Sequence, residues 1–206
     1  MKRIVVILNI WRLIIPMIVY ASDTKFRDLI RMDLKKFLYS EPQAKSNLYW
    51  MLYMLVFRNP FHAVFYFRMR MKHNLCRAIQ SVLLPDKRET EITGDIGPGL
   101  LIFHGQATII HCAKAGKNLE VFQSVTIGRN PSHNRDGRDI PVIGDNVTIY
   151  TGSIVSGGIN IGNNVQIGAG SVVMKDVPDN CVVVGNPARI IKHNGHRSDE
   201  SLSWNK

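Results

Sequence analysis

The sequence predicts a mainly β fold: a parallel β-helix of stacked hexapeptide coils, preceded by an α-helical region. Three observations carry this reading. From 143 to 178 the chain divides into sixes (IGDNVT, IYTGSI, VSGGIN, IGNNVQ, IGAGSV, VMKDVP), with Ile143, Ile149, Val155, Ile161, Ile167 and Val173 at the first place. The fifth place holds Val147, Ser153, Ile159, Val165, Ser171 and Val177, small or aliphatic throughout, while Gly, Asn and Asp gather between. Residues 1–88 lack this rhythm and instead show apolar residues at helical spacing.

A period of six fits neither a helix at 3.6 nor a lone strand at 2. It suits a short strand followed by a tight corner, with the first residue of each hexad entering a shared core. Three hexads close one triangular coil of about 18 residues, and each strand pairs with the coils above and below. The β-helix is expected over 89–192. Ile96 and Ile102 are six apart, Ile109 comes one residue late, and Ala115, Val121 and Ile127 resume the count, so one inserted residue is expected between 103 and 108. Between Ile127 and Ile143 the count fails again, over the polar stretch RNPSHNRDGRDIPV at 129–142, which is expected to project as a loop. In a repeat otherwise in register, such breaks are where function can be placed.

The 206 residues carry a net charge of +10, unevenly placed. Residues 1–88 hold 16 Lys/Arg against 5 Asp/Glu, whereas 89–206 hold 10 against 11. Nucleic acid is not an expected partner, because no binding motif accompanies the cations. An anionic membrane surface is the alternative to a simply solvated helical face. Cys76, Cys112 and Cys181 are odd in number and scattered, without metal spacing, and read as buried thiols in a reducing compartment.

Ile4 to Ala21 (IVVILNIWRLIIPMIVYA) follows Lys2 and Arg3 and leaves three readings open. A signal peptide has a charged start and an apolar run. A spanning helix must carry Arg12 near its centre, at a cost of roughly 2.5–3.5 kcal/mol. Asn9, Arg12 and Pro16 share one helical face, and a narrow polar stripe suits a helix lying in a membrane surface or against partner helices. Further on, Ser22-Asp23-Thr24 caps a helix with Phe26, Ile30, Leu34 and Phe37 on one side, ended by Glu41-Pro42. Asn59-Pro60 opens another, expected to run to about Leu84 with Arg68, Arg70, Lys72 and Arg77 in solvent, before Pro85. The segment 193–206 reads as a loosely ordered polar tail.

The hexads, FQSVTIG at 122–128 and GNPARII at 185–191 resemble the left-handed β-helix acyltransferases, and among these the serine acetyltransferases, including members found among surface-polysaccharide genes. The left hand is implied by that resemblance, against the usual right-handed crossover. The resemblance also implies acetyl-CoA as donor, a cytoplasmic enzyme (peripheral at the inner membrane face if the helical region binds there), and a homotrimer with active sites between adjacent β-helices; no metal is expected, because the sequence carries no zinc motif.

IGPGLLIFHG resembles the family segment that carries the catalytic histidine, which falls on His104. An alcohol is a poor nucleophile at neutral pH and a thioester is already activated, so the useful catalyst is a general base. Histidine fits that work. The family's carboxylate partner, fifteen residues earlier, falls on Glu89, where Asp is usual; Asp86 and Glu91 are alternatives. Such a carboxylate fixes the tautomer and stabilises the imidazolium. Arg138 matches the arginine that receives the acceptor's carboxylate. The loop histidine after it is absent, and His133 substitutes only if the loop folds differently. His111 reads as structural.

The family's aspartate before the catalytic histidine is replaced by Phe103, an apolar or stacking surface of the kind sugar rings use. The expected acceptor is therefore a hydroxyl of a sugar or glycan precursor. L-serine, giving O-acetyl-L-serine for cysteine biosynthesis, is the alternative, and a non-catalytic β-helix scaffold is a second. Coenzyme A is expected along small residues, near Thr151-Gly152 and Ala169-Gly170. Lys175, Arg189 and Lys192 are candidates for its phosphates.

Overall fold

The computed structural model describes residues 2–39, 45–85 and 89–203. The chain divides into two compact units, Met1–Arg88 and Glu89–Lys206. The first is helical: α1 (Lys2–Leu8), α2 (Ile14–Ser22), α3 (Thr24–Phe37), α4 (Leu48–Phe57), α5 (Asn59–Lys72) and α6 (Asn74–Leu83), with a 3-10 turn at Ile10–Leu13.

The apolar run from Ile4 does not form one long helix. Asn9 leaves helical geometry at φ −96°, ψ 0°. Its side-chain nitrogen donates to the Val5 carbonyl at 2.9 Å, and its side-chain oxygen accepts from the Arg12 guanidinium at 3.0 Å. A second guanidinium nitrogen of Arg12 donates to the Leu83 carbonyl at 2.6 Å, and Pro16 is buried. The Asn9–Arg12–Pro16 stripe therefore turns into the helical unit, where Arg12 satisfies one of the carbonyls that a helix end leaves open. Among the described residues, no helix is long and apolar enough to cross a membrane.

Asp23 caps α3 as expected, accepting from the Phe26 N–H at 2.9 Å. Phe26, Ile30 and Leu34 are buried with Phe61 and Phe65 of α5. The helix expected from Asn59 to Leu84 is interrupted at His73, which holds φ −126°, ψ 44°. Arg68, expected in solvent, is only 4% exposed and lies in a two-pronged pair with the fully buried Asp33, at 2.8 and 3.2 Å. A guanidinium can be buried this way because its planar fork matches a carboxylate.

The second unit is a parallel β-helix with three faces. One face stacks the strands Leu101–Ile102, Glu120–Val121, Thr148–Ile149, Gln166–Ile167 and Cys181–Val184. A second stacks the start of Thr90–Ile96, the start of Thr108–Ala115, then Thr126–Gly128, Ile154–Ser156 and Val172–Val173. The third uses the far ends of the two long strands, then Val142–Ile143 and Asn160–Ile161, with Val177 bridging to Ile161. The registers put the β-branched first residue of each hexad inward: Val155, Ile161, Ile167 and Val173 are all at most 2% exposed.

The corner between the third and first faces explains the Gly/Asn/Asp clustering. Asn118, Asn146, Asn164 and Asn180 all adopt positive φ, between 56° and 59°. Asparagine tolerates that conformation. Their amides then form a ladder, each donating to the next at 2.8, 3.1 and 2.9 Å. Gly144 stands two residues before this column because a Cβ there would lie 2.8 Å from the Gly162 backbone. Cys112 and Cys181 are buried, and burial pushes the Cys112 thiol up to about 11. As far as Ser201 the polar tail is not loose: Arg189–His193 and His196–Ser201 form an antiparallel hairpin on Cys181–Val184.

Candidate active site

The corner between the first and second faces carries His104. Backbone bonds from Ser124 N to Gln106 O (2.9 Å), Gly152 N to Gln123 O (3.2 Å) and Gly170 N to Thr151 O (2.9 Å) align four successive corners. Their second residues, Ala107, Ser124, Gly152 and Gly170, all have positive φ (49°, 59°, 70° and 67°). Phe103, Phe122 and Tyr150 align in the preceding row, through N–H bonds to Val121, Ile149 and Ile167. In the later coils this row is followed directly by the corner. In the first coil two residues intervene, His104 and Gly105.

The insertion is thus two residues, where the count of sixes gave one. The difference lies at Ile109, which the count put inside. Ile110 is the fully buried residue paired with Ile127, and Ile109 is 41% exposed. The extra turn is conformationally demanding. His104 holds φ 62° and Gly105 φ 77°, and the Gly105 N–H folds back to the Phe103 carbonyl at 2.7 Å. A histidine in the left-handed region costs roughly 1–2 kcal/mol. Here the cost delivers an exposed imidazole at the edge of the coil.

Two hydrogen bonds hold Glu89 beside this turn. Its carbonyl accepts from the Thr108 N–H at 3.3 Å, and the next residue, Thr90, donates its hydroxyl to the Gly105 carbonyl at 2.6 Å. The Glu89 carboxylate is exposed, as is Glu91, which pairs with Ile109 on the second face. Asp86 lies outside the described residues.

Phe103 is not an open platform. Its ring stacks on Phe122 at 4.2 Å between centroids and 15° between planes, and Phe122 meets Tyr150 at 5.0 Å. The ring is part of a stacked column beside His104, and one of its faces is taken by Phe122. The loop between Phe122 and Tyr150 hides this alignment from a count of sixes, and neither Phe122 nor Tyr150 was expected at the site.

Thr151, Gly152, Ala169 and Gly170 lie on the same edge as His104, further along the stack. A Cβ on Gly152 or Gly170 would meet nothing within 4 Å, so these glycines serve their positive φ and leave open space outside. The edge can therefore admit an extended molecule.

The loop 129–142 leaves the coil at another edge, between the second and third faces, and folds back on Gly157–Gly158. Gly158 N donates to the His133 carbonyl at 2.6 Å, and a Cβ at Gly157 would lie 2.6 Å from the His133 Cβ. The Arg138 guanidinium is turned into the coil: it donates to the carbonyls of Ile140 (2.7 Å), Ile159 (3.1 Å) and Gly158 (3.1 Å) and to the Asn160 side chain (2.8 Å). Burial, reinforced by the neighbouring Arg135 cation, lowers its pKa. Arg135 pairs with buried Asp176 at 2.7 Å. These donors anchor the loop, and Arg138 presents no idle fork to an acceptor carboxylate.

His133, Lys175 and Arg189 come together around a pocket of about 200 Å³, with Val172, Met174 and Ala188. This joins two of the three expected phosphate cations, without Lys192, and puts His133 with them. His111 pairs with Thr93 on the second face.

Residues 140–175 match the family model described as bacterial transferase hexapeptide (six repeats). A serine acetyltransferase of Synechococcus elongatus is 42% identical over 105 residues, 50% of this chain and 42% of the relative. That of Buchnera aphidicola subsp. Schizaphis graminum is 32% identical over 182 residues, 84% of this chain and 68% of the relative. The chain thus spans about half the length of several curated relatives, such as 49% of the Bacillus pumilus enzyme, and about two thirds of the Buchnera one. The structure of Neisseria gonorrhoeae serine acetyltransferase in complex with serine superposes with a TM-score of 0.65 at 27% identity, over 84% of this chain and 72% of that one.

These findings overturn the expected sugar or glycan acceptor. The relatives are serine acetyltransferases, and one face of the Phe103 ring from which a sugar platform was inferred is covered by Phe122. The chain belongs to the serine acetyltransferase family of left-handed β-helix, hexapeptide-repeat acyltransferases.

Proposed function

We infer that the protein is an acetyl-CoA-dependent serine O-acetyltransferase. The observation that carries this reading is His104, exposed on a two-residue insertion at the same edge as the open column of Gly152 and Gly170. A donor lying along that column brings its thioester to the imidazole. His104 takes the proton of the serine hydroxyl as the oxygen attacks the acetyl carbonyl. The carbon–sulfur bond then breaks, and the proton passes from the imidazolium to the departing CoA sulfur. The products are O-acetyl-L-serine and free CoA.

Glu89 serves as the carboxylate that orients His104, reaching it from a backbone that Thr90 and Thr108 tie to the turn. The pantetheine arm passes Thr151–Gly152 and Ala169–Gly170, and Lys175 and Arg189 receive phosphates at the far end. The active unit is a homotrimer. The His104 edge and the loop edge are separated by one face of the coil, so a neighbouring copy's loop completes the pocket around the acceptor. Arg138 acts by holding that loop on Gly158–Asn160.

The test is release of free thiol from acetyl-CoA with and without L-serine. Serine-dependent release, with O-acetylserine found in equal amount, supports the assignment. Release that L-serine does not stimulate excludes it.

A further inference from the structure

We propose that the helical unit docks on an anionic lipid bilayer surface through an apolar ridge formed by α1, α2 and α6. Helix α6 is inside out. Its one fully buried residue is Gln80, whose side-chain nitrogen donates to the Arg12 carbonyl at 2.8 Å, whereas Leu75, Ile79 and Val82 are 76%, 50% and 79% exposed. These three sit at i, i+4 and i+7, one stripe of the helix.

The α1–α2 segment behaves the same way. Val6, Leu13, Pro16 and Val19 face inward, and Ile4, Ile7, Leu8, Trp11, Ile14 and Ile18 are all at least half exposed. The two stripes are clamped side by side. Arg12 donates to the Leu83 carbonyl and accepts from Gln80, so Trp11 and Val82 each adjoin a clamped residue. Exposed large apolar side chains gathered on two clamped segments mark an interaction site.

Charge selects the occupant. Apart from Arg12, whose guanidinium is turned inward, residues 2–22 and 74–83 contain the cations Lys2, Arg3 and Arg77 and no Asp or Glu. A purely cationic pair of segments carrying exposed Ile, Leu and Trp complements anionic headgroups over an acyl interior. The broken helix, with its polar groups turned inward, lies on such a surface and does not span it.

The experiment is co-sedimentation of the full chain with phosphatidylcholine vesicles, with and without phosphatidylglycerol. Binding is expected on the phosphatidylglycerol vesicles and should weaken as salt rises. Ile7→Glu and Val82→Glu should each lower it at least about tenfold with the helical circular dichroism unchanged. Ile191→Glu, the same charge change on the β-helix, should leave it within about twofold. In a Trp50→Phe, Trp204→Phe background, Trp11 emission should move to shorter wavelength on the anionic vesicles, a readout that needs no ridge variant. Equal sedimentation with both vesicles, or binding unchanged by either ridge variant, overturns the proposal. So does a Trp11 shift without vesicles that grows with protein concentration and particle mass, because a second copy would then cover the ridge.

Discussion

The hydroxyl of Thr90 donates to the carbonyl of Gly105 at 2.6 Å, and this bond ties the first β-helix strand to the turn that presents His104. Thr90 touches no reacting atom on this account; it positions the histidine. Thr90→Val should lower kcat about fivefold, the value of one hydrogen bond of about 1 kcal/mol. The KM for acetyl-CoA should not move. Thr90→Ser keeps the donor and should restore most of the rate, an outcome that a purely packing role would not give.

Arg138 spends its guanidinium on four acceptors, from Ile140, Gly158, Ile159 and Asn160. Arg138→Ala should release the loop. Amide exchange across 129–142 should accelerate at least about tenfold, since hydrogen bonds to a charged group contribute about 1.5–3 kcal/mol. The KM for serine should rise, and Arg138→Lys should repair little because an ammonium cannot reproduce the fork.

The counting of sixes reached most of the coil because β-branched residues must point inward wherever coils stack in register. It failed at Ile109 for a physical reason. An isoleucine on the outer face and one in the core differ only by the parity of a strand, and Ile109 and Ile110 are adjacent. The aromatic column of Phe103, Phe122 and Tyr150 was illegible because a loop separates its members in sequence. His104 was proposed from a motif, whereas the Thr90 hydroxyl carried no signal of its own. Helix α6 was unreadable for a different reason: Leu75 and Ile79 look like core, and they face outward.

Asp179 accepts from the Asn163 N–H at 2.7 Å and from its side-chain amide at 3.1 Å, and the backbone bond is the main cause of its lowered pKa. A carboxylate whose folded pKa is depressed contributes stability that is present above its unfolded value, about 3.9, and lost as pH falls through the folded value. The gap in Tm between wild type and Asp179→Asn should therefore be constant near neutrality and shrink in the acid range. At neutral pH the substitution should cost about 1 kcal/mol.

Ala169 is exposed beside Gly170 on the proposed donor path. Ala169→Phe should raise the KM for acetyl-CoA about tenfold or more by filling that space, while Tm stays within about 2 °C. Unchanged donor kinetics would move the cofactor to another edge.

The central claim is that His104 is the general base. Asparagine tolerates φ 62°, so His104→Asn keeps the turn and removes the base. The decisive measurement is kcat for serine-dependent thiol release by His104→Asn, with the thermal midpoint recorded on the same preparation. A fall of about 10²- to 10⁴-fold at an unchanged midpoint is the predicted result. Activity within about twofold of wild type would contradict the account.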